Sequence, residues 1–216
     1  MTAFTPNGDL VVVVPVKPLA MAKSRLAAHL TLEERSVLVL RLLGHVLTTV
    51  HQTAVTDRCL VVSADPRVRT WAAQHDAEPL AERPTSLGIE HNAALEQARE
   101  VAQGRGHAAL LVISADLPLL RPGDVTDMVA LGSETNSIVI APDRAGTGTN
   151  ALLLRPIDIV PFRFGPGSFA RHVAEARALG TLVRVHESAG TAFDLDRPED
   201  LTTLEQWQTA IRANHL

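Results

Sequence analysis

Three aspartates are the residues best suited to hold a divalent cation. Asp116 follows an almost wholly apolar stretch, and Asp194 and Asp196 lie two positions apart just before Pro198. Side chains two positions apart in an extended segment point the same way, and an acid at the end of a buried strand is costly unless a positive group meets it. Carboxylates on separate loops are the ligands that Mg²⁺ bound to substrate phosphates requires. An alternative stays open, because Asp116 and Asp196 could instead cap helices.

Three cations follow the first apolar run of the chain. Lys17, Lys23 and Arg25 fall within nine positions, and such a cluster is often only a solvated surface. Its place directly after the first predicted strand, near the carboxylate loops of a doubly wound sheet, favours binding of a triphosphate. The chain contains neither G-x-x-x-x-G-K-[ST] nor G-x-G-x-x-G. A P-loop NTPase and an ordinary dinucleotide dehydrogenase therefore lose their main support.

Two glycine-rich turns supply further polar groups. The turn Phe164-Gly-Pro-Gly-Ser168 makes Ser168 the predicted N-cap of a helix. The N–H groups and positive end of that helix would bind a phosphate or a carboxylate, although the segment could also be only a turn. The loop Gly146-Thr-Gly-Thr149-Asn150 carries hydroxyl and amide groups able to hydrogen-bond a small polar ligand, which is a weak signal alone.

The elements that would position these residues alternate along the chain. Short β-branched runs alternate with stretches of helical period, a pattern typical of a mostly parallel sheet flanked by helices, so we expect an α/β fold. The predicted strands are Leu10–Val14, Arg58–Val62, Ala108–Ser114, Ser137–Ile140, Asn150–Leu154 and Leu182–Val185. The predicted helices run from the capping box at Thr31 to about His51, from Asp65-Pro66, and over Glu90–Ala102, Pro122–Leu131, Ser168–Leu179 and Pro198–Ala213. Ligands of such sheets sit outside the carboxyl ends of the strands, so the loops after the strands are expected to carry the chemistry.

Length and composition predict one globular domain. The 216 residues are 46% hydrophobic and 20% charged, without linker or repeat, so we expect a single domain over residues 1–216 with its core at about 10–213. A net charge of −4 and an aromatic content of 3% argue against a partner that is a nucleic acid polymer. The nine His residues lack metal-ligand spacing, which argues against zinc.

The expected compartment is the cytoplasm. The single cysteine, Cys59, lies in an apolar run and cannot form an internal disulfide, which favours a buried thiol in a reducing compartment. No apolar run approaches 18 residues, and no positively charged leader precedes the first strand, so we expect a soluble protein without a membrane partner.

Five motifs together carry a family resemblance. They occur in order from about residue 10 to residue 201, at residues 15–26, 114–120, 148–153, 164–169 and 193–201. This set closely resembles the phosphoenolpyruvate and 2-phospho-L-lactate guanylyltransferases of coenzyme F-420 biosynthesis. The resemblance implies a Rossmann-like fold of the nucleotide-diphospho-sugar-transferase type, GTP as the donor, Mg²⁺ as the cofactor and a three-carbon phosphorylated acid as the acceptor.

The same resemblance assigns roles to individual residues. It implies that the acceptor is bound by Thr149, Gly165 and Ser168, and the metal by Asp116, Asp194 and Asp196. It makes Asp116 and Lys23 catalytic. The GTP phosphates would be held by Lys17, Lys23 and Arg25, and the guanine would lie against Ser86, Gly88 and Asn92.

Several alternatives stay open at the level of sequence. Phosphoenolpyruvate and 2-phospholactate share one three-carbon frame, and we favour phosphoenolpyruvate. A related nucleotidyltransferase acting on 3-phosphoglycerate or a sugar phosphate is a second hypothesis, and a non-catalytic nucleotide-binding module is a third. The absence of the glycine-rich first loop of the wider superfamily favours the narrower family. A homodimer, the commonest soluble assembly, is compatible with the sequence.

Overall fold

The fold is built on one seven-stranded sheet. The computed structural model describes residues 9–56, 58–84 and 91–203. The strands are β1 (Leu10–Pro15), β2 (Cys59–Ser63), β3 (Glu78–Ala81), β4 (Ala109–Ile113), β5 (Ser137–Pro142), β6 (Thr149–Arg155) and β7 (Leu182–Val185). Their order across the sheet is β3-β2-β1-β4-β6-β5-β7, and every pair is parallel except the two that involve β6. The expectation of a mostly parallel sheet flanked by helices is confirmed.

The longer helices lie at the places that the sequence indicates, and two short helical segments were not predicted. They are α1 (Leu32–His51), α2 (Pro66–Ala73), α3 (His91–Gly104), α4 (Pro122–Leu131), α5 (Ser168–Ala178) and the short α6 (Ala189–Ala192), with a 3-10 helix at Ser24–Leu26. The capping box at the start of α1 forms, since the N–H of Glu34 donates to Thr31 Oγ1 at 3.3 Å and the Glu34 carboxylate accepts from Thr31 N at 2.8 Å. Residues 198–203 are helical, and the rest of the predicted last helix lies outside the described residues, as does Glu90.

The sheet is buried on both faces. Along β1, Val12 and Val14 pack in the cluster that contains α1, while Val11 and Val13 pack in the cluster that contains α3. This alternation follows from the period of two of a strand, and it explains why β1 is a continuous apolar run. Cys59 is buried, and burial raises the pKa of its thiol to about 12.

Strand β3 was not predicted from the sequence. It is four residues long, contains Pro79, and alternates between half-buried and exposed side chains at the edge of the sheet. A proline and a charged residue weaken the strand signal, and an edge position is where a strand tolerates proline. In the described part of the chain, no helix is both long and apolar enough to cross a membrane.

The antiparallel strand β6 brings its first residues to the functional edge. Because β6 runs against β4 and β5, its start lies beside the carboxyl end of β4, and Ser114 N donates to Asn150 O at 2.8 Å. The loops after β1, β4, β5 and β7 therefore meet the start of β6 at one edge of the sheet.

Helix α6 is packed too closely to accept a side chain at Gly190. A Cβ there would lie 2.1 Å from Asp124 Oδ2 and 2.9 Å from the backbone oxygen of Leu119. We expect Gly190→Ala to lower the free energy of unfolding by about 1–3 kcal/mol, the usual cost of overpacking. Urea denaturation measures this change.

Gly123→Ala is the matched control, because a Cβ at Gly123 meets nothing within 4 Å. Since Gly123 lies in the first turn of α4, alanine there is expected to leave stability unchanged or raise it by at most about 1 kcal/mol. Equal effects of the two substitutions would contradict the close packing of α6.

Candidate active site

A cavity of about 500 Å³ opens at the edge of the sheet where these loops meet. That volume is within the ordinary range for a small-molecule site. The predicted site residues that line it are Lys17, Lys23, Arg25, Asp116, Thr149, Gly165, Ser168, Asp194 and Asp196. Residues from five separate segments of the chain are thus brought to one cavity, and Asn92 lies behind its wall.

The segment after β1 is anchored from two sides. Leu19 N donates to Asp65 Oδ2 at 2.9 Å, and Arg35 Nη1 donates to Ala22 O at 2.8 Å. Asp65 also caps α2 through Arg67 N at 2.8 Å, so one carboxylate serves both a helix and the loop. The loop ends in Lys23, whose backbone takes the left-handed conformation with φ at 51°. That conformation is strained for a residue with a side chain, and such strain is concentrated at functional sites.

The Lys23 ammonium lies between two of the predicted metal ligands. Its Nζ is 2.5 Å from Asp116 Oδ2 and 2.9 Å from Asp196 Oδ1, and its side chain is only 6% exposed. Burial by itself lowers the pKa of Lys23, but the charges of Asp116 and Asp196 outweigh burial and hold that pKa above its ordinary value. Lys23 is therefore a charged, buried bridge between β4 and the loop after β7.

Asp116 is held as a carboxylate. Burial alone would raise its pKa, but the charge and hydrogen bond of Lys23, and the hydrogen bond that Ser114 Oγ donates at 2.6 Å, lower it below the ordinary value. Leu195 N also donates to Asp116 O at 3.0 Å, which ties the two aspartate loops together. The alternative of Asp116 as a helix cap is not what the structure shows, because α4 begins with Arg121 N donating to Asp124 Oδ2.

Asp194 and Asp196 differ in their surroundings. Asp196 is 38% exposed and is shared between Lys23 and Arg25, whose Nη1 lies 3.1 Å from Asp196 Oδ2. Burial raises the pKa of Asp194, and the negative charges of Asp116 and Asp196 raise it further. Asp194 is therefore the carboxylate that would gain most from a bound cation.

The aspartates suit a divalent cation, although their arrangement is not a closed cage. In the described part of the chain, no set of three His, Cys, Asp or Glu residues is already arranged around one point as metal ligands. The Lys23 ammonium lies between Asp116 and Asp196 and offsets their charges. Asp116 and Asp194, whose charges repel each other, are nevertheless the hard oxygen donors that Mg²⁺ prefers.

Asp200 supports the loop that carries Asp194 and Asp196, and the sequence analysis missed it. Its side chain is only 4% exposed, and it accepts Asp196 N at 2.8 Å, Arg197 N at 2.7 Å and Arg144 Nη2 at 2.5 Å. Asp200, and not Asp196, therefore caps the helical turn that begins at Pro198. The signal was available, because an acid three residues into a helix often reaches back to the N–H groups before it.

The opposite wall of the cavity is made of neutral polar groups. Ser168 Oγ donates to Thr149 Oγ1 at 3.1 Å, and His172 Nδ1 lies 3.2 Å from the same oxygen. The prediction that Ser168 is the N-cap of α5 is wrong by one residue. Gly167 is the N-cap, since its left-handed φ of 70° is accessible to glycine at little cost, and Ser168 is the first helical residue with its side chain buried.

The N–H groups at the start of α5 are partly used within the protein. Ser168 N donates to Gly165 O at 3.0 Å, and Phe169 N donates to Thr147 O at 3.2 Å. This wall of the cavity therefore offers mainly the hydroxyls of Thr149 and Ser168, together with the Gly165 backbone. Gly165 has a φ of 118°, a conformation that disfavours any residue with a side chain.

The predicted guanine-binding residues are only partly described. Ser86 and Gly88 lie outside the described residues. Asn92 lies at the start of α3, where its Oδ1 accepts Phe164 N at 2.9 Å and its Nδ2 donates to Phe164 O at 3.2 Å. Asn92 thus fixes the backbone next to Gly165, and its contact with guanine stays a prediction.

His91 is a second residue that the sequence analysis missed. It lines the cavity, and its ring meets Phe164 edge-on with centroids 5.3 Å apart. Burial and the nearby charge of Lys17 lower the pKa of His91 to about 4, so its imidazole is neutral at physiological pH. A lone His without metal-ligand spacing gave no signal in the sequence.

Comparisons with known proteins show the family of this chain. A family model described as guanylyl transferase CofC like matches residues 10–207. A phosphoenolpyruvate guanylyltransferase from Rubrobacter xylanophilus is 47% identical over 193 residues, which are 89% of this chain and 92% of the relative. A protein of the same name from Sphaerobacter thermophilus is 44% identical over 194 residues, or 90% of this chain and 91% of the relative.

Solved structures share the fold at low sequence identity. A structure from Desulfovibrio desulfuricans G20 assigned to the nucleotide-diphospho-sugar transferases has a TM-score of 0.73 at 15% identity, covering 91% of this chain and 86% of that one. A CMP-2-keto-3-deoxy-manno-octonic acid synthetase complexed with CTP has a TM-score of 0.66 at 15% identity, covering 96% and 100%. A glucosyl-3-phosphoglycerate synthase from Mycobacterium tuberculosis in complex with Mn²⁺, UDP and phosphoglyceric acid has a TM-score of 0.62 at 13% identity, covering 90% and 73%.

Lys23 and Arg25 both contact Asp196, but only Lys23 is buried, so we expect their replacement to have different effects on stability. Lys23→Met removes a buried charge and leaves Asp116 uncompensated beside two other carboxylates, so we expect the free energy of unfolding to fall by about 2–4 kcal/mol. Arg25→Met is the control, because the Arg25 side chain is 66% exposed and contacts the same Asp196. An exposed ion pair contributes less than about 1 kcal/mol. Similar losses for the two variants in urea denaturation would show that the burial of Lys23 is unimportant.

Proposed function

The chain belongs to the family of CofC-like guanylyl transferases, it is a nucleotidyltransferase, and we propose that it transfers GMP from GTP to the phosphate of phosphoenolpyruvate, releasing pyrophosphate. The observation that carries the proposal is the single cavity in which a cationic loop, clustered aspartates and a neutral hydroxyl wall meet. The names of the Rubrobacter and Sphaerobacter relatives support phosphoenolpyruvate over 2-phospholactate as the acceptor. We further propose that the product enters the biosynthesis of coenzyme F-420.

The cationic side of the cavity suits the GTP phosphates. Lys17 is exposed at the cavity, and Arg25 is held near it by Asp196. GTP and the acceptor are both polyanions, so their approach is repulsive until cations offset their charges. We propose that Lys17 and Arg25 contact the triphosphate, and that Lys23, already paired twice, positions Asp116 and contacts the phosphates from between the aspartates.

Asp116 and Asp194 are the proposed holders of Mg²⁺. Both are carboxylates on separate loops, and Asp196, the third residue of the predicted set, is paired with Lys23 at 2.9 Å. The complex of the Mycobacterium tuberculosis glucosyl-3-phosphoglycerate synthase with Mn²⁺ shows that this fold accommodates a divalent cation. When bound, Mg²⁺ supplies charge that offsets the negative phosphates.

The hydroxyl wall is the proposed acceptor subsite. Thr149, Ser168 and Gly165 offer hydroxyl and backbone groups to a small anion, while Asn92 holds the backbone beside Gly165 in place. An acceptor bound there faces the aspartates across the cavity. We propose that the acceptor carboxylate lies against Thr149 and Ser168, so that its phosphate points toward the nucleotide.

The reaction requires positioning more than proton transfer. A phosphate oxygen of the acceptor attacks the α-phosphorus of GTP, the bond between the α-phosphorus and the bridging oxygen breaks, and pyrophosphate leaves with that oxygen. A phosphate at neutral pH is already an anionic nucleophile, so no general base is needed, and alignment and electrostatics supply the rate. The neutral His91 and His172 fit a site where no side chain has to take a proton.

Pyrophosphate release tests the proposal directly. The protein is incubated with GTP, Mg²⁺ and either phosphoenolpyruvate, 2-phospholactate or 3-phosphoglycerate, and ATP and CTP replace GTP in parallel reactions. We expect release with GTP and phosphoenolpyruvate. Release only with 3-phosphoglycerate would identify a related nucleotidyltransferase, and GTP binding without release for any acceptor would identify a non-catalytic module.

Because other carboxylates lie close to Asp194, replacing it should affect activity and stability differently. Asp194→Asn removes a proposed metal ligand, so we expect turnover to fall at least about 100-fold. The same change relieves repulsion from Asp116 and Asp196, so the melting temperature should stay within about 4 °C of the wild type or rise. Pyrophosphate release and thermal unfolding are measured on one preparation.

Asp127→Asn is the control for this variant, since Asp127 is exposed on α4 and faces no part of the cavity. It should keep wild-type turnover and stability. A large drop in melting temperature for Asp194→Asn would mean that Asp194 is structural.

A further inference from the structure

A buried histidine lies directly behind the proposed acceptor subsite. His172 is in the second turn of α5, has no exposed surface, and does not line the cavity itself. Its ring is packed edge-on against Phe164, with centroids 5.0 Å apart. The mechanism described above does not use it, and a buried imidazole with polar contacts to Thr149, Arg163 and the Ser168 backbone calls for a physical account.

The hydrogen-bond network assigns the proton of this imidazole. Arg163 N donates to His172 Nε2 at 2.9 Å, so Nε2 is an acceptor and carries no hydrogen. The ring is neutral, because burial and the charges of Arg171 and Arg163 lower its pKa to about 4. A neutral imidazole has one N–H, which must therefore be at Nδ1, and this nitrogen lies 3.2 Å from Thr149 Oγ1.

The contacts with His172 and Ser168 determine which way the Thr149 hydroxyl proton points. Thr149 Oγ1 accepts from His172 Nδ1 and from Ser168 Oγ at 3.1 Å. A hydroxyl has two acceptor sites and one donor. Both acceptor sites are filled from inside the protein, so the Thr149 O–H is left as a donor, and Thr149 lines the cavity.

We propose that His172 is a positioning residue that fixes the Thr149 hydroxyl as a hydrogen-bond donor to an anionic oxygen of the acceptor. The inference rests on the proposed function, since it takes the acceptor to be the ligand of that hydroxyl. Without the His172 N–H, the Thr149 hydroxyl is free to turn its proton inward and present a lone pair to the ligand. A lone pair repels a carboxylate or phosphate oxygen, whereas a donated proton binds it.

Two conservative substitutions separate this role from a merely structural one. Asparagine at position 172 places an amide N–H near the position of Nδ1 and keeps the donor to Thr149, but it loses the acceptor for Arg163 N. Glutamine places its amide near the position of Nε2, keeps an acceptor for Arg163 N, and loses the donor to Thr149. If His172 orients Thr149, the glutamine variant should bind the substrate acceptor more weakly than the asparagine variant. If His172 only holds the Arg163 backbone, the asparagine variant should be the weaker one.

The expected result is a selective change in the acceptor KM. His172→Gln should raise the KM for phosphoenolpyruvate about tenfold or more, as expected for a lost hydrogen bond to a charged group, and leave the KM for GTP unchanged. His172→Asn should keep both KM values within about threefold of the wild type, a difference of less than about 0.7 kcal/mol. The opposite order, or equal changes in both KM values, would overturn the proposal.

A second measurement does not depend on turnover. The ¹⁵N shifts of the His172 ring in the full-length wild type, assigned by loss of the signal in His172→Asn, should show a neutral ring protonated at Nδ1 between pH 6 and 8. Protonation at Nε2, or an imidazolium, would overturn the assignment of the Thr149 proton.

The two proposals fail in distinguishable ways. If the wild type releases no pyrophosphate with any acceptor, the proposed function fails, and calorimetric binding of phosphoenolpyruvate to the wild type and the two variants then decides the role of His172. Weaker binding in His172→Gln than in His172→Asn supports the positioning role, and equal or absent binding in all three proteins overturns it.

Discussion

The two contacts of the Lys23 ammonium are the interaction on which the rest of the site depends. Asp116, Asp194 and Asp196 cannot remain close together as carboxylates unless a positive charge lies among them. Lys23 provides that charge at 2.5 Å and 2.9 Å from two of the three, and it comes from the loop after the first strand. The interaction thus joins chain segments that are 93 and 173 residues apart, which makes the edge of the sheet one electrostatic unit.

The carboxylates are held by a second layer of contacts that does not face the cavity. Arg144 and Asp200 form an ion pair whose acid also accepts two backbone N–H groups of the loop after β7, and the Arg144 guanidinium lies 4.3 Å from the centre of the Phe193 ring. The backbone around Asp194 and Asp196 is therefore fixed independently of Lys23. Such support is needed wherever a site relies on geometry and charge in place of proton transfer.

Sequence reasoning could reach six of the seven strands, the long helices and nine residues that line the cavity, because each leaves a local trace, whereas β3 and His91 were missed. An apolar run with an acid at its end predicts both β4 and Asp116, and the capping box predicts the start of α1. The contacts of Lys23 and His172 depend on which loops meet in three dimensions, and the partner of either residue cannot be predicted from its type. The N-cap of α5 was misplaced by one residue because Gly167 and Ser168 are both acceptable caps, and only the left-handed backbone of Gly167 decides between them.

One wall of the cavity carries charged side chains and the other carries neutral hydrogen-bonding groups, and this difference follows from burial. The wall that carries the cations is half exposed and can keep charged Lys17, Arg25 and Asp196, because solvent and mutual pairing limit their desolvation cost. The hydroxyl wall is buried behind Phe164 and α5, where an unpaired cation would be far more costly. Thr149, Ser168 and the neutral His172 can be buried because their polar atoms are matched to one another. A small anion on that wall would be selected by the direction of hydrogen bonds. The large negative charge of a triphosphate would instead be offset by the cations of the other wall.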